Sequence, residues 1–363
     1  MTIAEIAGYW SDRYLNVFMW SFGLSLLLTF ISIHLLPRLG IMDKPDPRKI
    51  HLHPIPRMGG VGIYLAFVAP MLMMMYFDKP QEGIILGSGI VLVIGAADDI
   101  WGVPAWLKLL GLFGATFLMS RFGVISSLPF HYLGLSDYWC NLVLTMLWVA
   151  GLCSAINALD HMDGLAGGIA VIAAFSYLAV SIQTEQYFWG LLSVALMGSL
   201  MGFLFFNRHP AKIFMGDSGS FFLGYSLASI GIMGGWSIEP VKAAIVPLAI
   251  LSVPLFDILY VLVARRLDGT TKSIIESITY CGKDHIGHRL CRMGFGQVGA
   301  VRLVYLLAIS VSISALTIRN AGFEESLMLL LQIALIYVIL IIVMKKFEKL
   351  YGKDKVDAPD SNK

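Results

Sequence analysis

Apolar runs follow one another along this chain from residue 15 to residue 344, and they leave little choice of architecture. A membrane-crossing helix needs about 20 mostly apolar residues. By that rule helices are expected at 15–36, 59–77, 83–98, 106–122, 139–156, 164–183, 187–206, 218–235, 241–263, 301–318 and 325–344. A lipid interior accepts backbone only as helices or closed barrels. The expected fold is therefore all-α: a polytopic integral membrane protein with about eleven transmembrane helices. Composition agrees, with 57% hydrophobic and 14% charged residues, against about 25% charged in soluble domains. No basic segment leads into a short apolar stretch and a small-residue cleavage site, so no removable signal peptide is expected. Cys140, Cys153, Cys281 and Cys291 show no disulfide spacing, as a reducing or lipid environment would allow. Without repeats or low-complexity runs, 1–363 reads as one transmembrane domain, with 345–363 as a basic tail.

Lys and Arg in alternate loops set the orientation. One set of loops (37–58, 99–108, 157–163, 207–217, 264–302 and the tail from 345) holds 21 of them, and the other holds 5. The basic set is expected in the cytoplasm, which puts the N-terminus outside and the C-terminus inside. Asp98, Asp99, Asp160, Asp163, Asp217, His285 and His288 then all fall at cytoplasmic span ends. Topology alone thus points to a site at the inner membrane surface.

The richest stretch is Asn157-Ala158-Leu159-Asp160-His161-Met162-Asp163-Gly164, between two apolar runs. Ionisable groups at such a depth need a charged partner or a wet cavity. If helical, Asp160 and Asp163 share a face with Asn157, and carboxylates so close call for a cation. Oxygen ligands suit Mg²⁺ or Mn²⁺. Asp98-Asp99 ends the third run. Adjacent helical residues point about 100° apart, so the two need not share a role, and Lys108 is a candidate partner for one of them. Negative charge is disfavoured at a helix C-terminus, which makes an idle solvated pair the poorer reading. Phe214-Met215-Gly216-Asp217-Ser218-Gly219-Ser220 precedes the eighth run. Asp217 and Ser218 read either as helix caps or as part of the acidic set, with Arg208 and Lys212 upstream able to neutralise phosphate. The first inner loop, with Asp43, Lys44 and Arg57, has four prolines between Asp43 and Arg57 and runs into the Gly59-Gly60 pair, so an irregular loop is expected. It reads as a positive-inside anchor or as an anion-binding surface. In the large inner loop His285, His288, Arg289 and Arg292 make one basic helical face. Cys281, His285, His288 and Cys291 read alternatively as zinc ligands, though their spacing is unlike the usual fingers.

Taken together and in order, these motifs resemble the polyprenyl-phosphate N-acetylhexosamine-1-phosphate transferases of glycosyltransferase family 4, relatives of the peptidoglycan enzyme that makes lipid I. The resemblance runs from Asp43 to about Gly296. The family's aspartate pair falls on Asp98 and Asp99, and its downstream lysine on Lys108. Its Asn-x-x-Asp-Gly-x-Asp-Gly falls on Asn157, Asp160, Asp163 and Gly164, its Met-Gly-Asp-x-Gly-Ser on Met215 to Ser220, and its histidine motif on His285 to Arg289. His161 stands where the family often has glycine. Gly287 stands where the common-antigen type has histidine. Ser154 and Gly282 also depart from the pattern. The lipid I enzyme's three-histidine signature ending in Phe-Glu is absent, which favours the N-acetylhexosamine branch.

The resemblance implies transfer of N-acetylhexosamine-1-phosphate, with GlcNAc-1-phosphate the leading choice, from a UDP-sugar to undecaprenyl or another polyprenyl phosphate. UMP would be released in the first membrane step of a surface polysaccharide, at a bacterial inner membrane. It makes Asp217 the main Mg²⁺ ligand, assisted by Asp160 or Asp163. It makes Asp98 or Asp99 the group that keeps the lipid phosphate deprotonated. Lys44, Lys108, Asn157, Arg208, His285, His288 and Arg289 would hold phosphates and uridine. It gives no reason for a nucleic-acid partner and leaves a homodimer open. The rivals are the phospho-MurNAc-pentapeptide transferase and, in another class, an ion-coupled transporter. A transporter would need acids near mid-bilayer on a path through both faces.

Overall fold

The computed structural model describes residues 3–45, 53–74, 77–237, 239–273, 276–277, 280 and 282–351. Every one of the eleven apolar runs is helical within them. The helices are α1 (Ile3–Leu35), α2 (Gly59–Met74), α3 (Lys79–Trp101), α4 (Ala105–Arg121), α5 (Asp137–Leu159), α6 (Leu165–Gln183) and α7 (Tyr187–Asn207), followed by α8 (Gly216–Met233), α9 (Pro240–Ile250), α10 (Ser252–Leu267), the short α11 (Ile286–Leu290), α12 (Gly296–Ile318) and α13 (Phe323–Tyr351). Among the described residues, seven helices are long and apolar enough to cross a membrane, and eight if one bent pair counts as a single span.

That bent pair breaks the run expected at 241–263, which is not one straight helix. α9 and α10 meet at 76° around Leu251. Proline lacks the N–H that an inner turn needs and crowds the carbonyl four residues back. Pro254, in the first turn of α10, removes the bond that would tie it to Ile250, and Pro247 sits inside α9. The expected irregular loop between α1 and α2 is also different. It contains a two-strand hairpin, β1 (Met42–Asp43) antiparallel to β2 (Ile55–Pro56). The expected tail from 345 begins as helix, because α13 runs on to Tyr351; residues 352–363 lie outside the described set.

α8 is the axis of the bundle. All its residues from Ser218 to Gly231 are buried. Glycine and serine recur along it, and small residues let helix backbones approach closely in a membrane. A Cβ added to Gly95 of α3 would lie 2.5 Å from Asp217 O, so that crossing admits only glycine. α2, α3 and α5 pack around α8, and α7 packs on α1 and α6. α13 lies outermost, with Leu327, Met328, Leu331, Leu335, Ile339 and Ile342 exposed as a lipid-facing surface would be. The crowded centre brings the N-terminus of α8 against the C-terminal ends of α3 and α5.

Candidate active site

The first N–H groups of a helix have no partner inside it. At α8 those of Asp217 and Ser218 donate to Asp99 Oδ1 (3.0 Å) and Oδ2 (3.1 Å). Asp99 belongs to the last turn of α3, so one helix caps another. Asp217 and Ser218, read as candidate caps, are themselves the capped residues. Asp99 is 4% exposed and both of its oxygens are engaged. The sequence left Asp98 and Asp99 alike as candidates to act on the lipid phosphate; the Asp99 carboxylate faces the backbone of α8. Arg57 donates to the Asp99 carbonyl oxygen and stands 3.9 Å from Asp43, which draws the loop between α1 and α2 under the site. Phe214 N–H donates to Pro56 O (2.8 Å) and Gly59 N–H to Phe214 O (3.0 Å), stitching that loop to the start of α8.

Asp98 turns the other way. Its Oδ1 accepts Val103 N–H at 2.6 Å and its Oδ2 accepts Lys108 Nζ at 3.0 Å. The same ammonium donates to Asp217 Oδ2 at 3.1 Å. Asn157 Nδ2 donates to Asp217 Oδ1 (3.0 Å) and to Ser220 Oγ (2.9 Å). Four helices thus supply one network: Asp98 from α3, Lys108 from α4, Asn157 from α5 and Asp217 from α8. The side chains of Lys108, Asp98 and Asp217 are 20%, 17% and 26% exposed, so the network is enclosed but reachable.

Asp160 ends α5 beside this network. Burial, and then the negative charge of Asp217, Asp99 and Asp163, pushes its carboxyl well above the usual carboxylate range. The Asp163 side chain turns to other partners. The chain leaves the helix at Asp160 and turns through Gly164 (φ +76°), so the expected common face does not form. Asp163 Oδ2 instead accepts His209 Nδ1–H (2.7 Å) and Ala211 N–H (3.2 Å). Two residues that sequence reasoning missed hold this turn. Asn207, 2% exposed, accepts Gly164 N–H (3.1 Å) and donates to Ile213 O (2.8 Å). Tyr305 donates to Gly164 O at 2.6 Å. Both sit in or at the end of apolar runs, where nothing in the sequence marks them.

The histidine segment has its own anchor. His285 Nδ1–H donates to Asp257 Oδ2, and Ile286 N–H donates to Asp257 Oδ1, both at 2.7 Å. Asp257, 1% exposed, both orients His285 and caps α11. It lies in a run taken as plain membrane helix, and an intramembrane acid was the signal that could have found it. The rings of His285 and His288 lie 5.1 and 4.5 Å from the ring of His161. Burial lowers the His161 imidazole to about 4, so it is neutral.

The expected four-residue basic face is divided. Arg289 points away from the histidines: it pairs with Glu348 of α13, donates from Nε to Asp284 O (2.6 Å) and covers the Tyr260 ring at 5.0 Å. Arg265 grips both oxygens of Asp284 at 2.7 Å. Around them a cavity of about 240 Å³ is lined by Arg265, Tyr280, Lys283, Asp284, Arg289 and Glu348. Lys44, just past β1, and Arg208, whose guanidinium lies 5.2 Å over Phe205, are exposed.

Among the described residues no three His, Cys, Asp or Glu side chains stand as a ready metal cage. Of the residues in the alternative zinc reading, Cys281 lies outside the described residues. The acidic cluster nonetheless fits a hard cation by donor type. The carboxylates of Asp98, Asp160 and Asp217 are hard oxygen donors of the kind such a cation takes, gathered where helices α3, α5 and α8 meet.

Known proteins carry the same pattern. Residues 82–235 match glycosyl transferase family 4. The chain is 33% identical over 309 residues to the probable undecaprenyl-phosphate N-acetylglucosaminyl 1-phosphate transferase of Bacillus subtilis (strain 168), covering 84% of this chain and 85% of that protein. It is 32% identical over 302 residues, 74% of each chain, to the decaprenyl-phosphate N-acetylglucosaminephosphotransferase of Mycobacterium leprae. The phospho-N-acetylmuramoyl-pentapeptide-transferase of Clostridium botulinum (strain Eklund 17B / Type B) is 32% identical over 237 residues, covering 60% of this chain and 73% of that protein. With relatives matched over most of its length and the family pattern spanning α3 to α8, the chain belongs to glycosyl transferase family 4.

Proposed function

We propose that this protein transfers N-acetylglucosamine-1-phosphate from UDP-N-acetylglucosamine to a polyprenyl phosphate, releasing UMP. The network of Asp98, Lys108, Asn157 and Asp217, with Asp160 beside it, carries the reading. A lipid phosphate oxygen attacks the sugar-linked phosphorus. The bond from that phosphorus to the bridging oxygen breaks, and UMP leaves with that oxygen. Two anions must meet for this, and catalysis of phosphoryl transfer is chiefly positioning and charge compensation. Lys108 neutralises charge where the phosphates approach. In this reading Asp98, whose side chain is 17% exposed at the Lys108 network, rather than the buried Asp99, keeps the lipid phosphate deprotonated. Asn157 fixes the Asp217 rotamer through Oδ1. His285, oriented by Asp257, and His288 hold the nucleotide side. Asp217, with Asp160, would hold Mg²⁺ or Mn²⁺. That ion supplies Lewis-acid charge compensation on the diphosphate.

In this reading the eleven helical runs lie in the bacterial inner membrane, with the N-terminus outside and the C-terminus and site at the cytoplasmic face. The meeting of these acids at one end of the bundle supports it, as does the bias of Lys and Arg to one set of loops. The pentapeptide-transferase reading has the weaker support, because that relative matches a smaller share of the chain. UMP release by the purified protein in detergent, given UDP-N-acetylglucosamine, undecaprenyl phosphate and Mg²⁺, is the test. Release that does not depend on the added lipid, or none at all, would remove the assignment.

A further inference from the structure

Two of the positions where this chain departs from the family pattern it resembles, His161 and Gly287, lie against each other. They come from different inner loops, and a Cβ placed on Gly287 would lie 2.6 Å from Met162 Sδ and 2.9 Å from His161 Nε2. Both distances are closer than a real Cβ tolerates; the unbranched Met162 side chain can swing aside, whereas the His161 ring is tied to the Ala158 carbonyl, so His161 is what bars a side chain at 287. His161 Nδ1 must carry its hydrogen, because its partner at 2.8 Å is the Ala158 carbonyl, which only accepts. Nε2 is enclosed and makes no hydrogen bond. A buried acceptor without a donor costs stability, so the ring does not earn its place through that atom. Its ring packs with the two histidines: its centre lies 4.5 Å from that of His288 and 5.1 Å from that of His285.

The neighbours on both sides are already fixed. Asn207 and Tyr305 hold the turn that carries His161. Asp257 holds His285 and the first N–H of α11. His161 is therefore a spacer between two anchored segments, one bearing Asp160 and the other bearing His285 and His288. We propose that His161 and Gly287 form a size-matched interlock in which His161 acts as a positioning residue, setting where His285 and His288 stand relative to the acidic cluster and so how the sugar nucleotide is seated. The inference rests on the reaction proposed above for its kinetic readout, but not for its structural one.

A double-mutant cycle tests it, with His161→Ala, Gly287→Ala and both together in the full-length protein. Gly287→Ala should raise KM for UDP-N-acetylglucosamine by about tenfold while KM for undecaprenyl phosphate stays within about twofold, a coupling of the size found between touching side chains. Adding His161→Ala should recover most of the loss. Amide hydrogen exchange across 283–292, measured without substrate, should rise in each single variant and fall back in the double variant. Should Gly287→Ala not fold, His161→Asn serves instead: its amide keeps the Ala158 hydrogen bond but lacks the outer ring, so it should raise exchange across 283–292 and the same KM. Additive effects in the cycle, a wild-type KM in His161→Asn, or exchange unchanged in the single variants would overturn the interlock. If the wild type releases no UMP, the proposed reaction falls, and the exchange data still decide the interlock.

Discussion

Replacing Asp99 by Asn separates a structural aspartate from a chemical one. In the native protein its two oxygens accept Asp217 N–H and Ser218 N–H at 3.0 and 3.1 Å. An amide has one oxygen and one NH₂ group, so one α8 N–H faces another donor. Leaving that buried donor unsatisfied costs about 1–3 kcal/mol. Loss of the charge at the N-terminus of α8 adds about 0.3–1 kcal/mol, and up to about 2 kcal/mol where the site is enclosed. Asp99→Asn should therefore destabilise the protein by about 2–4 kcal/mol, seen as a melting temperature lowered by several degrees in detergent. Its turnover should fall together with stability and recover in part at lower temperature, because the shifted α8 terminus carries Asp217. Asp98→Asn and Asp217→Asn, whose carboxylates face Lys108, should instead melt close to wild type. The assay pairs thermal unfolding with UMP release for all three variants. An Asp99→Asn protein with unchanged melting and no turnover would refute the capping argument and return Asp99 to the reacting groups.

Asp217→Asn should lower kcat by at least about a hundredfold, the scale for losing one preorganised electrostatic group; near-normal kcat would take Asp217 out of the mechanism. Chelation with EDTA should stop UMP release and added Mg²⁺ or Mn²⁺ should restore it, whereas turnover insensitive to chelator would exclude the metal reading. Asp257→Asn should disorient His285 and uncap α11, raising KM for the UDP-sugar about tenfold as expected for lost positioning, while Asp257→Glu partly rescues it; equal loss in both KM values would argue for general unfolding. Asn207→Ala strands Gly164 N–H and Ile213 O, and should cost about 2–4 kcal/mol in detergent stability; an unchanged melting temperature would show that the turn is held by other contacts.

Periodic apolar runs are local, so their positions as helices were legible residue by residue, and nearly all of them recur where composition placed them. The exceptions have local causes that outweigh hydropathy. Pro247 and Pro254 split one run into α9 and α10, and α13 continues past its apolar stretch because Lys345, Lys346 and Lys349 are good helix formers. The gathering of acids and histidines at one end also followed from order along the chain, since alternate ends of successive spans share a face. Which acid does what did not follow. Asp98 and Asp99 are neighbours in sequence, yet one holds Lys108 and the other caps α8, because that choice depends on where another helix begins. Asp160 and Asp163 look like a pair, but the turn at Gly164 sends Asp163 to His209. Arg289 aligns with the histidines in the sequence and pairs with Glu348 in space. Charge, hydropathy and spacing are properties of one segment. Capping, pairing and the fit of His161 over Gly287 are properties of two segments, decided only when packing around α8 brings distant parts of the chain within hydrogen-bonding reach.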